Sequence, residues 1–170
     1  GKADVVSANG SGASISVFLN QATSTWGGAS YSLKTDYTTG SAPQGVAIGD
    51  LNGDGKPDVV TANAGGDTIS VLINSGQGTF ASKVDYTTAS GPNAVSIGDF
   101  NGDGKSDIAT ANDGGTLTSV FINNGNGTFA SKIDYTVGST PKSVSIGDLN
   151  GDGKADLVLV NSLSNSISVL

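Results

Sequence analysis

The segment Ile48-Gly49-Asp50-Leu51-Asn52-Gly53-Asp54-Gly55-Lys56-Pro57-Asp58 recurs, with small changes, at 97–107 and 146–156. Its first Asp falls at 50, 99 and 148, a period of 49 residues. A fixed period of this length means that each unit is one supersecondary motif, which buries its apolar face only by stacking on its neighbours. Gly1-Lys2-Ala3-Asp4 matches Gly55-Lys56-Pro57-Asp58, 54 positions further on, so the chain opens on the tail of a fourth copy and its first unit is longer by five residues.

Within a unit, apolar residues alternate or form short runs bounded by Asn-Gly, Asp-Gly and Gly-Gly, which reads as strand and turn and not as helix. In the second unit the pattern predicts strands at about 44–50, 57–63, 68–74 and 80–87. Four short antiparallel strands per unit, repeated in tandem, predict the blades of a β-propeller. A sandwich needs no fixed period, and a β-helix has much shorter coils.

The all-β chain should then hold about 3.5 blades in 14 strands: a partial blade over 1–39, blades at 44–87 and 93–136, and a partial blade over 142–170. The count is not integral. It implies a segment of a larger propeller or repeat array, or strand edges covered by another chain, because folded proteins avoid bare edges. Gly1 is neither an initiator Met nor the start of a charged-then-apolar leader, so a processed product or part of a longer chain is expected.

Composition narrows the chemistry. All 15 acids are Asp, all 8 bases are Lys, and Glu, Arg, His, Cys and Met are absent. There is no imidazole base, thiol nucleophile, disulfide framework, His/Cys zinc site or Arg clamp. The net charge of −7 disfavours nucleic acid and anionic membranes as partners, and no apolar run is long enough for a transmembrane helix.

Each acidic loop reads D-x-N-x-D-G-x-x-D. Side-chain oxygens at positions 1, 3, 5 and 9 with a backbone carbonyl at 7 are the donors a hard cation such as Ca²⁺ takes, and Gly at 6 permits the sharp turn. An EF-hand would need an acid at position 12, where Thr61, Thr110 and Leu159 stand. Turn propensity alone explains the Gly and Asn but not four oxygen-bearing side chains at the same offsets three times over.

These residues resemble the FG-GAP or VCBS-type repeats of integrin-α-like β-propellers. The carrying segments are 48–60, its copies from 97 and 146, and Gly-x-Gly-Thr-Phe at 76–80 and 125–129. The resemblance implies Ca²⁺ in the hairpin between the first two strands of each blade. Three sites follow: Asp50, Asn52, Asp54, the Lys56 carbonyl and Asp58; Asp99, Asn101, Asp103, the Lys105 carbonyl and Asp107; Asp148, Asn150, Asp152, the Lys154 carbonyl and Asp156. Asp4 is the remnant of a fourth.

Tyr37, Tyr86 and Tyr135 recur in Asp-Tyr-Thr, and together with Phe80 and Phe129 read as blade-to-blade packing. Trp26, in the polar stretch special to the first unit, is expected either to stack on a ligand or to fold back on the blade. Asn9 and Asn126 match the glycosylation pattern, a weak signal in so Asn-rich a chain.

The function that fits is a calcium-stabilised extracellular or cell-surface module for adhesion or recognition of protein or glycan. The alternative is a structural repeat that assembles with copies of itself into a layer, fibre or matrix. No catalytic constellation is present, so an enzyme is not expected.

Overall fold

The computed structural model describes residues 3–21 and 30–170; Trp26 lies outside them. Among the described residues there are 16 strands and no helix. Val5–Asn9 (β1), Ser14–Phe18 (β2) and Thr35–Thr38 (β3) form the first antiparallel sheet. The second contains Pro43–Gly49 (β4), Asp58–Asn63 (β5), Thr68–Leu72 (β6) and, after the small hairpin Asn74–Gly76 (β7) and Thr79–Phe80 (β8), Val84–Thr87 (β9). Pro92–Gly98 (β10), Asp107–Asn112 (β11), Leu117–Phe121 (β12) and Ile133–Thr136 (β13) make the third. Pro141–Gly147 (β14), Asp156–Asn161 (β15) and Ser166–Val169 (β16) make the fourth.

Successive sheets stack face to face with their first strands β4, β10 and β14 side by side, the arrangement of propeller-type blades. One register serves all four sheets: Val5 faces Phe18, Val59 faces Leu72, and Ile108 faces Phe121. Alternation along each strand then sends one set of side chains to the preceding sheet and the other to the next. Ile15 and Val17 meet Val59 and Leu72 between the first two sheets. Leu51, Ile69 and Val71 meet Ile108 and Phe121 between the second and third. Ala109, Ala111 and Val120 meet Val144, Leu157 and Leu159 between the third and fourth. Full burial of each large side chain is worth about 1.5–3 kcal/mol, so the interfaces supply the cohesion that a single blade lacks.

Tyr37 and Tyr86 pack between sheets with Phe80 and Phe129 as the repeat suggests, whereas Tyr135 is exposed with no ring partner among the described residues. Tyr86 sets its ring edge-on to Phe121 and Phe129 of the next sheet, at 6.2 and 5.5 Å between centroids. Tyr37 does the same to Phe80 at 5.1 Å, and its hydroxyl donates to the Gly78 carbonyl at 3.1 Å. The fourth strand of the second unit begins at Val84 and not at about 80. Gln77 and Gly78 take left-handed φ of 56° and 74°, which closes the β7–β8 hairpin and places Phe80 in the interface instead of the sheet.

A polar relay crosses the second and third sheets. Thr61 Oγ1 donates to Asn63 Oδ1 (2.9 Å), Asn63 Nδ2 to Ser70 Oγ (2.9 Å), and Ser70 Oγ to Asp85 (2.7 Å), which also pairs with Lys83. Thr110, Asn112, Ser119, Asp134 and Lys132 repeat it. In the first sheet Asn9 Nδ2 is held by Ser14 and Ser16, which ties the side chain that the glycosylation pattern would need free. In the fourth sheet Leu159 stands where the relay has Thr, and Asn161 Oδ1 is buried without a partner.

Candidate metal centres

Each acidic loop is the hairpin between the first and second strands of a sheet: 50–57 joins β4 to β5, 99–106 joins β10 to β11, and 148–155 joins β14 to β15. Gly53 and Gly55, at φ 77° and 79°, turn the second-sheet loop back on itself in a conformation that side chains resist. The curled backbone aims its amides at its own acids. Asp50 Oδ1 accepts from the Gly53 and Asp54 amides (2.8 and 3.2 Å), and Asp50 Oδ2 from Gly55 (2.8 Å). Asn52 Oδ1 accepts from the Asp54 amide and Asp54 Oδ1 from that of Lys56. Asp99, Asn101 and Asp103 repeat these contacts, and Asp148, Asn150 and Asp152 repeat most of them.

The ninth position behaves differently. Asp58 and Asp107 open β5 and β11 and are fully buried. Asp58 accepts from the amides of Leu51 (2.9 Å) and Asn74 (2.7 Å), and Asp107 from those of Phe100 (3.1 Å) and Asn123 (2.8 Å). Neither forms an ion pair among the described residues. Burial pushes both carboxyls above the usual range against the pull of these amides, and the neighbouring loop acids push the same way. Asp54 is held low, chiefly by the Lys56 ammonium it accepts from at 2.8 Å; Asp103 by the Lys105 amide; Asp148 by the Gly153 and Gly151 amides. Asp156 is less enclosed and accepts from the Leu149 amide at 2.8 Å.

The structure thus gathers the five positions of each loop into one hairpin. Among the described residues no three acids converge closely enough to cage an ion. The chemistry of the donor set suits an oxygen-seeking cation, whereas the Asp at positions 1 and 5 and the Asn at position 3 accept from their own loop amides.

A residue the motif does not include braces the ninth position. Asn74 supplies its amide to Asp58 and its side chain to the Pro57 carbonyl; Asn123 does the same for Asp107 and Ser106; Asn20 does so for Asp4 and Ala3. Asp4 therefore sits in the ninth-position register. The signal was present in the sequence as an Asn sixteen residues after each of these Asp residues. Asn123 reaches further: its Nδ2 donates to the Leu51 carbonyl at 2.8 Å, tying the third sheet to the acidic loop of the second. A cleft of about 790 Å³ opens beside the second loop, walled by Val17, Leu19, Lys56, Asn74 and Phe80.

Four stacked antiparallel sheets of three or four strands, the last three each bearing an acidic hairpin at the same place, define a propeller-type β-repeat protein. The family model described as FG-GAP-like repeat matches residues 1–61, 50–110 and 99–159, and the chain belongs to that family. No curated protein matches it. Among solved structures, the chain is similar to a functionally unknown protein from Desulfotomaculum acetoxidans DSM 771, with TM-score 0.69 and 13% identity over 95% of this chain and 48% of that one. It is also similar to BBS1N, solved in complex with ARL6DN, with TM-score 0.61 and 11% identity over 98% and 51%. A third match is to the Photorhabdus luminescens Tc holotoxin pore, with TM-score 0.50 and 19% identity over 92% and 8%. The chain spans about half the length of the first of these. At such identities the likeness is one of fold.

Proposed function

We propose that the chain is a calcium-stabilised recognition module of the cell exterior, and that its three acidic hairpins are the cation sites. The supporting observation is the pair of fully buried carboxylates, Asp58 and Asp107, each fixed by two amides and left without a cationic side chain inside a loop that carries two more acids. Uncompensated buried charge is costly, and a bound cation offsets it. Asp50, Asn52, Asp54, the Lys56 carbonyl and Asp58 would hold one ion; Asp99, Asn101, Asp103, the Lys105 carbonyl and Asp107 a second; Asp148, Asn150, Asp152, the Lys154 carbonyl and Asp156 a third. A cation must compete with the loop amides for the first acid, which fits weak extracellular-type sites of about 0.1–1 mM.

At about 1 mM free Ca²⁺ each such site contributes about 0.4–1.4 kcal/mol by linkage. Three divalent ions would bring the charge of −7 close to neutral. The module reads as binding and not catalytic, because nine of its 15 acids belong to the loops and the sequence contains no His or Cys. Calorimetric titration of the metal-stripped chain with Ca²⁺, with melting in Ca²⁺ and in chelator, tests the sites. Three weak sites and a lower Tm in chelator are expected; superimposable melting curves overturn the reading. Screening the calcium-loaded chain against glycan and matrix-protein arrays tests recognition.

A further inference from the structure

Glycine follows Asn six times in this chain and Asp four times. Lacking a side chain, glycine leaves its amide nitrogen open to reach back to the carbonyl carbon of the preceding side chain. From Asn, that attack closes an imide and expels ammonia. The nitrogen must first lose its proton, so an amide that already donates a hydrogen bond is held back. One that donates to a carboxylate is held back most, because its anion would face a like charge.

The fold engages eight of these ten amides. In the acidic loops the first Asp takes two each: Gly53 and Gly55 donate to Asp50 (2.8 Å each), Gly102 and Gly104 to Asp99 (2.8 Å each), and Gly151 and Gly153 to Asp148 (2.6 and 2.9 Å). Gly114 donates to the Ser90 carbonyl at 3.1 Å and Gly125 to Asn123 Oδ1 at 2.7 Å. The Gly10 and Gly127 amides have no acceptor among the described residues. Before Gly10, however, the Asn9 side chain is tied, its Nδ2 donating to Ser14 and Ser16 Oγ at 3.1 and 2.9 Å.

Asn126, before Gly127, is held in the opposite way. It is exposed in the turn between β12 and β13, and its Nδ2, the group that would leave, has no partner among the described residues. Its Oδ1 accepts from the Thr128 amide at 3.1 Å and from the Thr128 hydroxyl at 2.6 Å. Asn124 Nδ2 donates to the same hydroxyl oxygen at 3.0 Å, which strengthens that hydroxyl as a donor. Negative charge develops on Oδ1 when Cγ is attacked, so both donors aim at the atom that an oxyanion hole would serve. Packing fixes the glycine: its φ is 77°, and a Cβ there would lie 2.7 Å from Ile73.

We propose that Asn126 is a site of spontaneous deamidation, the one Asn-Gly step that the fold activates while it protects the others, with water as co-reactant. Hydroxide takes the Gly127 amide proton, the nitrogen bonds to Asn126 Cγ, and the negative charge lands on Oδ1. Collapse breaks the Cγ–Nδ2 bond, and Nδ2 leaves as ammonia with a proton from water. The cyclic imide then takes up one water molecule, which opens it at either carbonyl to aspartate or isoaspartate. The new carboxylate stands beside the second acidic loop, since a Cβ at Gly127 would lie 3.6 Å from Asn52 Cβ.

Timed incubation of the full chain in mildly alkaline buffer, folded and in guanidinium chloride, with peptide mapping by mass spectrometry, tests this. In the folded chain Asn52, Asn101 and Asn150 should deamidate about ten- to a hundredfold more slowly than in denaturant, the weight of one charge-assisted hydrogen bond. Asn126 should react at least as fast folded as unfolded. Thr128→Val should slow Asn126 about two- to tenfold in the folded chain and leave it unchanged in denaturant, whereas Thr128→Ser should restore the wild-type rate. Continued protection of Asn52 within each variant shows that it is folded. An Asn126 that reacts more slowly folded than unfolded, or a folded Thr128→Val chain that reacts there as fast as the wild type, overturns the proposal.

Discussion

Replacing Asp58 with Asn keeps the shape of the side chain while removing its charge and one of its two acceptor atoms. In the native sheet both oxygens are used, by the Leu51 amide at 2.9 Å and the Asn74 amide at 2.7 Å, and the group is fully buried. Asn can satisfy one amide and sets its own NH₂ against the other. A hydrogen bond to a charged partner is worth about 1.5–3 kcal/mol. Relief of the buried charge, whose cost is visible in the raised pKa, offsets part of that, leaving a net loss of about 1–2 kcal/mol without calcium. In about 1 mM Ca²⁺ the lost site removes about 0.4–1.4 kcal/mol more. At about 2–4 °C per kcal/mol for a chain of this length, Tm should fall by about 2–8 °C in chelator and by about 3–14 °C in calcium. Differential scanning calorimetry under both conditions, with a calorimetric count of bound ions, reads all three quantities. An equal fall in both conditions refutes the cation at this loop, and no fall in either refutes the argument from the buried carboxylate.

Thr110→Val leaves Asn112 Oδ1 without the donor it has at 2.9 Å and recreates the condition found naturally at Asn161; a loss of about 1–3 kcal/mol in urea unfolding is expected, and an unchanged midpoint would count against the relay. Tyr86→Leu removes two edge-on ring contacts of about 0.5–1.5 kcal/mol each, whereas Tyr135→Leu, at an exposed position with no aromatic partner among the described residues, should change stability by less than about 0.5 kcal/mol. Asp58 titrates above its unfolded value, so on acidification the folded state takes up the proton first; in chelator the wild type should gain stability relative to Asp58→Asn as pH falls from neutral toward the ordinary carboxylate range, and a relative loss would refute the burial effect. Asp134 has the opposite sign. Partial burial raises its carboxyl, but the bonds from Lys132 and Ser119 outweigh this and hold it low, so its contribution is present at neutral pH and disappears as pH falls through the folded value; Lys132→Ala should make the acid limb of the stability curve shallower.

Much of the architecture could be read before any coordinates because the repeat states its own period three times. Strand placement followed from alternation, and the 14 strands of the four sheets agree with the expected number. The sequence does not mark the small hairpin at 74–80, because Gly-x-Gly-Thr-Phe reads as the lead into a longer strand and the turn depends on left-handed φ at Gln77, a residue with no strong preference for it. The hairpin exists because Phe80 is drawn into the interface, a tertiary gain that no local pattern encodes. Spacing groups the loop acids into one motif but does not separate their roles. At the sequence level Asp50 and Asp58 are equivalent oxygens in one motif; in the fold one is a half-buried hub for its own loop amides and the other a buried charge braced by an Asn sixteen residues away.

The sequence by itself determined the all-β class, the repeat, the turn positions and the inventory of oxygen donors, because each depends on residue type and short-range spacing. Tertiary structure alone decided which ninth-position acids are buried and which sheet each aromatic residue grips, since each depends on what the neighbouring blade brings up against the residue.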